Sequence, residues 1–273
     1  MFNNSITKFD KSINSKDWLD EDKILAYTTK HNTDPNQITI NNIRNFTYYK
    51  DGTHKSNYYN KNYDISKLKK IYYAVQPFAF FNLVAHTFVS FEFENDTFLS
   101  ISVEIRKKKS DKKTPFSKLY LKSLFNSYEL IYVVGDEKDL IKYRTNYLKE
   151  SIHLYPFELT SDINQDFFKD MINRVDKLKK QPEYYHPWFN NCTTNLVKHV
   201  NKIRIDKIKL FNLAILFPGL SDKLAHKLKL IQIPKHLKSA KFKQIQNYYK
   251  INKNAQKYGN YEDFSTKIRQ YSK

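Results

Sequence analysis

The chain has 273 residues and a formal charge of +19, with 40% hydrophobic and 16% aromatic residues, four glycines, eight prolines and one cysteine. That is enough apolar material for one large domain or two small ones, and it excludes a disordered or fibrous chain, a disulfide framework and a cysteine-built zinc site. Of the 47 basic residues only six are arginine (Arg44, Arg106, Arg144, Arg174, Arg204 and Arg269), and lysine-rich charge of this kind is a general attraction to anionic surfaces rather than base reading, which favours arginine.

No stretch is long enough to span a bilayer as a helix, and Met1 to Asp10 lacks a charged-then-apolar leader. As a sequence the chain is therefore expected to be soluble or peripherally bound. Residues 1–35 read as polar and helical or irregular, around Trp18 and Leu25. Residues 37–46 alternate Ile38 and Ile40 with Thr39 and Asn41, a strand, and Asp51-Gly52 is a turn signal.

From Leu68 onward the pattern is β. Strands are expected over 70–76, 84–93, 97–105 and 128–135, with a hairpin turn at Glu94-Asn95-Asp96-Thr97. In the third of these, Ile101, Val103 and Ile105 face one way and Ser100, Ser102 and Glu104 the other. Residues 136–149 read as a helix and 152–155 as a last strand. Ser161 or Asp162 caps a helix carrying Phe167, Phe168, Met171, Ile172, Val175 and Leu178. Leu210 to Phe217 and the residues from Ser221 give two further apolar segments, and 248–273 a polar helical tail. The fold class is α+β, an antiparallel sheet packed against helices, in one domain over 1–273 with a core of about 38–205 and a helical extension of about 206–273.

The lone Cys192 stands in Asn190-Asn191-Cys192-Thr193-Thr194-Asn195. Prolines 182 and 187 break any helix upstream, while Leu196, Val200 and Ile203 recur at helical spacing downstream. Asn191 is then the N-cap and Cys192 lies in the first turn, where the helix dipole favours a thiolate nucleophile. A buried apolar thiol is the alternative.

A thiol nucleophile needs a proton acceptor, normally histidine. His199 lies about 10 Å up the same helix, out of reach. His31 and His54 sit in polar, turn-rich stretches, His226 and His236 among lysines, His186 is on a loop beside Pro187, and His153 is a reserve on a short strand. His86 is flanked by apolar residues in Val84-Ala85-His86-Thr87-Phe88, where a ring needs a partner. Glu104 on the hairpin partner strand is the candidate to orient it. A two-residue turn pairs His86 with Ile105 and turns Glu104 away, whereas one more loop residue or a bulge pairs it with Arg106 and keeps Glu104 on the same side.

Ala85-His86-Thr87-Phe88-Val89-Ser90-Phe91, residues 101–106, residues 128–134, Tyr143-Arg144-Thr145, Leu154-Tyr155-Pro156 and above all Asn190-Asn191-Cys192-Thr193-Thr194 resemble the Lnb N-terminal periplasmic domain. The likeness extends to residues 43–46 and 263–269. The resemblance implies a permuted papain-like (NlpC/P60-like) thiol fold, with Cys192 as nucleophile and His86 as base; Glu104 is the candidate orienting group. Asn191, Thr193 and Arg106 are expected to bind substrate, and no metal or cofactor is expected. One branch of that family is a lipoprotein acyltransferase, so the implied function is a thiol acyltransferase or hydrolase on a lipidated substrate, in the cell envelope. No membrane anchor or signal is visible in this chain, which leaves the cytoplasm as the alternative location.

Leu210 to Phe217, flanked by lysines, is expected either to lie on an anionic membrane or to be a core helix with solvated flanks. The other readings are a cysteine peptidase or amidase with the same dyad, and a basic nucleic-acid-binding module without chemistry.

Overall fold

A computed structural model of the chain describes residues 17–31, 34–78, 81–125 and 127–271. The reading of residues 1–16 lies outside the described residues. Eleven strands are present among them: β1 Tyr27–Lys30, β2 Gln37–Arg44, β3 Thr47–Tyr48, β4 His54–Lys55, β5 Tyr58–Asp64, β6 Leu68–Phe78, β7 Phe81–Phe93, β8 Thr97–Arg106, β9 Glu129–Gly135, β10 His153–Pro156 and β11 Glu183–Tyr184. The helices are α1 Asp20–Lys23, α2 Phe116–Ser123, α3 Glu137–Lys142, α4 Ser161–Lys180, α5 Cys192–Ile203, α6 Leu213–Leu216, α7 Ser221–Lys227, α8 Phe242–Tyr248, α9 Asn252–Tyr258 and α10 Phe264–Lys267.

The main sheet runs β1-β2-β9-β8-β7-β6-β10, with β5 added to β2 and β11 to β9. Every pairing in it is antiparallel except β2 with β9, which meet in parallel where Arg44 faces Gly135. The α+β reading holds. β3 and β4 form a separate hairpin around Gly52, whose φ of +82° is the left-handed conformation that glycine adopts without Cβ strain.

The hairpin between β7 and β8 decides the parity. Asn95 and Asp96 both take positive φ, 56° and 50°, which Asn and Asp tolerate. The ladder starts at Phe93 opposite Thr97, so the turn spans three residues, and it runs without slip to Phe88 opposite Ser102. Two residues further on, His86 falls opposite Glu104. The extra loop residue thus puts Glu104 on the side of His86, with Glu104 rather than Arg106 as its opposite number.

Both faces of the sheet are covered. On one, Tyr73, Val89, Phe91, Ile101, Val103 and Tyr132 pack against α4 and α5. Phe167, Phe168, Met171, Ile172, Val175 and Leu178 of α4 recur at helical spacing and are buried; each contributes about 1.5–3 kcal/mol by leaving water. Thr160 rather than Ser161 or Asp162 occupies the N-cap position of α4, without a side-chain cap bond. On the other face, Tyr72, Ala74 and Phe88 pack against Ile141, Ile251, Ala255, Phe264 and Ile268. The sequence of 248–273 reads as a polar tail, yet these spaced apolar residues dock it on the sheet. The helix expected over 136–149 is α3, capped by Asp136, followed by one π-helical stretch, Tyr143–Tyr147.

Candidate functional site

Asn191 caps α5 as its residue type dictates. Its side chain accepts from Thr194 N–H at 2.8 Å, and the Thr194 hydroxyl accepts from Asn191 N–H at 2.8 Å, a reciprocal capping box. Asn190 fastens the turn before it. Its amide donates to Tyr184 O at 2.8 Å, its backbone exchanges bonds with His186, and Asn195 Nδ2 donates to its side-chain oxygen at 3.0 Å. The Asn191 amide also donates to Pro187 O. Cys192 is therefore held at the first position of a well-capped helix, where the dipole favours negative charge.

Cys192 is 5% exposed and belongs to the core on the α4–α5 face. Its sulfur has Thr193 Oγ1 at 3.8 Å, and Thr193 Oγ1 lies 3.0 Å from Thr87 Oγ1 on β7. The Tyr73 hydroxyl is close enough to feel both Thr87 and Cys192, and it donates to Ser221 Oγ at 2.7 Å. The surroundings of the thiol are thus a chain of hydroxyls. Beyond Thr193 an apolar cleft opens, lined among others by Leu196, Val197, Ile208, Ile215 and Leu224.

His86 is on the other face. Side chains alternate along a strand, and it is Thr87 that meets α5. His86 stacks on Phe88 at 5.8 Å and shares its Nε2 with Ser102 Oγ at 2.7 Å. Glu104, on the same face, pairs with Arg144 of the π-helical stretch at 2.6 Å. Arg144 also donates to Leu140 O at 2.7 Å and lies 5.3 Å over the Phe88 ring. Burial raises the Glu104 pKa, but the Arg144 charge holds it well below the usual carboxylate range. Burial and then the Arg144 charge push His86 down to about 4, so its ring is neutral at pH 7. His86 and Glu104 share one face of the sheet, each bonded to another partner, and Cys192 lies on the opposite face.

The remaining residues divide the same way. Arg106 is committed to Glu129 at 3.0 Å, to the carbonyls of Asp22 and Lys23, and to the ring of Trp18. Asn191 and Thr193 flank Cys192. His199 is a satisfied core histidine, bonded to Asp170 at 2.6 Å and Tyr132 at 2.9 Å. His153, the reserve, shares the α4–α5 face with Tyr155 and stands opposite Val75, which in turn stands opposite Thr87. Its Nδ1 is buried without a partner, and burial, then Lys250 and Lys243, push it down to about 4. Among the described residues no group of three or more His, Cys, Asp or Glu is placed to hold a metal ion.

Arg144, Thr87, Tyr73 and Ser221 are not singled out by the sequence. Arg144 had a signal: arginine is scarce in this chain. Five of the six arginines pair with carboxylates, Arg44 with Asp139, Arg106 with Glu129, Arg144 with Glu104, Arg174 with Glu183 and Arg269 with Glu137. The rigid fork suits such pairs where lysine does not. The three hydroxyl residues carry no such mark.

Among known families, the one described as the Lnb N-terminal periplasmic domain matches residues 54–216. No curated protein and no solved structure matches the chain.

Proposed function

Because the chain belongs to the Lnb N-terminal periplasmic domain family, we propose that it takes an acyl group from a lipidated substrate onto Cys192, as a thiol acyltransferase or hydrolase of the cell envelope. The observation that supports this most is the position of Cys192: the first residue of a capped helix whose next turns, Thr193, Leu196 and Val197, line an apolar cleft. The cleft takes the acyl chain and the helix start meets the ester. The sulfur attacks the carbonyl, an S–C bond forms and the ester C–O bond breaks. The thiol proton leaves with the departing alkoxide. The N–H groups of Cys192 and Thr193 receive the oxyanion. An amine or water then cleaves the thioester. The permuted papain-like arrangement belongs to the same reading.

A second reading, acyl-chain binding without chemistry, is favoured by one observation. His86 and Glu104 are bonded to Ser102 and Arg144 across the sheet from the thiol. In that case Cys192 is a packing residue of the core beside the cleft.

The test is a micelle-dispersed diacylglyceryl-cysteine peptide with an alkyne on its acyl chain, followed by mass spectrometry. A hydroxylamine-labile adduct on Cys192, absent in Cys192→Ala, supports acyl transfer. Retention of the probe without adduct favours the binding reading. No retention at all sinks both. His86→Ala is expected to leave adduct formation within a few-fold of wild type, and a complete loss would mean that His86 reaches the thiol in a conformation other than this one.

A further inference from the structure

The helix α6 straddles two environments. Ile215 is buried and lines the apolar cleft. Its neighbours Leu213 and Phe217 are one turn apart, share a helix side and are exposed, Leu213 at 66%. Just before it, Phe211 is 76% exposed and its ring lies 6.2 Å from that of Phe189, itself 54% exposed. Phe189 and the exposed Trp188 form the tip of the turn that Asn190 and Asn191 tie down. An apolar patch of five large side chains thus borders the cleft, on a turn held by hydrogen bonds. Apolar surface left in water on this scale marks an interaction site.

The chain segments that flank it are basic. Between Lys198 and Lys229 there are eight basic residues (Lys198, Lys202, Arg204, Lys207, Lys209, Lys223, Lys227, Lys229) and two acids, Asp206 and Asp222. Asp222 is buried and accepts from Tyr155. Lys209 is exposed two residues from Phe211, and Lys198 Nζ lies 3.4 Å from Asn190 Oδ1, beside Phe189. An aromatic tip with Lys198 and Lys209 beside it complements an anionic bilayer, whose headgroups attract the cations while the rings sit at the headgroup–acyl boundary.

We propose that the surface formed by Trp188, Phe189, Phe211, Leu213 and Phe217 docks the protein on an anionic lipid bilayer and opens the apolar cleft towards it. The proposal deepens the acyl-transfer reading and rests on it for what enters the cleft: a lipid chain drawn from the bilayer passes along Ile215 towards the Cys192 helix. Docking itself needs no thiol chemistry.

The protein carries its own reporter. Of its two tryptophans, Trp18 is buried and Trp188 is exposed. Vesicles of phosphatidylglycerol should shift the emission of the full chain to the blue, and brominated acyl chains should quench it. Trp188→Phe should abolish both signals. Vesicles of phosphatidylcholine alone should bind at least about tenfold more weakly, and raising salt should weaken binding to the anionic ones.

The double variant Phe211→Ser, Leu213→Ser should bind phosphatidylglycerol vesicles about tenfold more weakly or worse, with its urea midpoint unchanged. Cys192→Ala should dock like wild type, so a failure of docking and a failure of acyl-enzyme formation are separate results. No emission change with anionic vesicles overturns the proposal, as does equal binding of the double variant. Concentration-dependent dimerisation that the double variant abolishes, with no vesicle binding, assigns the surface to a second copy and overturns it too.

Discussion

The two faces of the sheet are built from different physics. Behind Cys192 the sheet is packed mainly by Phe, Leu, Ile and Val, and the polar groups among them are the hydroxyls of Thr87, Thr193, Tyr73 and Ser221, Asp222 under Tyr155, His199 on Asp170 and a His153 nitrogen without a partner. Behind His86 the cover is held by ion pairs: Arg144 on Glu104, Arg269 on Glu137 at 2.6 Å and Arg44 on Asp139 at 2.9 Å. Ser90 donates to Glu137, and Phe46 N–H donates to Asp139. One face has the nucleophile's helix and an apolar cleft. The other has the residues that look most like catalytic machinery and uses them to fasten α3, the π-helical stretch and the C-terminal helices. A histidine beside a carboxylate is therefore not by itself a catalytic pair. Its face must also be the nucleophile's face.

The largest effect should come from the ion-paired face. Arg144→Ala leaves the half-buried Glu104 beside a neutral ring and should cost about 2–4 kcal/mol in urea unfolding. Arg144→Leu combined with Glu104→Leu should cost much less, because no charge is then stranded. If the single variant cost no more than the double, Glu104 would not be a buried charge at all.

Next comes the pH dependence, which separates the faces. His153 has its folded pKa pushed from 6.5 down to about 4 by burial. The unfolded chain then binds a proton that the folded one refuses, so stability is complete above about 6.5 and falls as the pH drops towards 4. The loss should approach about 3 kcal/mol, and His153→Leu should flatten that part of the profile. His86 has the same window, so His86→Leu should remove a comparable slope from the other face. Glu104 acts lower down. Its depressed folded pKa gives stability that is present above its ordinary value of 4.5 and is lost only below it. Urea midpoints of the three proteins between pH 7 and 4 resolve these contributions; coincident profiles would contradict the burial of both rings.

On the cleft face, Asn191→Ala removes the N-cap and the anchor to Pro187. It should cost about 1–2 kcal/mol and loosen the turn that presents Trp188, seen as faster amide exchange at Thr194. The smallest effect should be Cys192→Ala, about 1 kcal/mol, since only a sulfur leaves the core wall. A far larger cost would make Cys192 chiefly a packing residue and weaken the acyl-transfer reading.

Much of this was legible in the sequence. Period-two alternation sorted Ser100, Ser102 and Glu104 from Ile101 and Val103, and both sets hold their sides. The prolines, Asn191 and the spacing of Leu196 and Val200 located the Cys192 helix to the residue. The family likeness was visible in short motifs, and residues 54–216 bear it out. These are local properties: a cap, a turn residue or an alternation depends on near neighbours along the chain.

What only the tertiary structure decided is which side each element lies on. The three-residue turn at Glu94, Asn95 and Asp96 set Glu104 beside His86, and one residue fewer would have reversed it. Nor could alternation say on which face α5 would land. Residues on both sides of β7 are buried, Thr87 and Val89 on one, Phe88 and Ser90 on the other, so hydrophobicity marks neither as the outside. That choice rests on contacts between residues far apart in the chain, Thr87 with Thr193 and Glu104 with Arg144, which exist only once the chain has closed on itself.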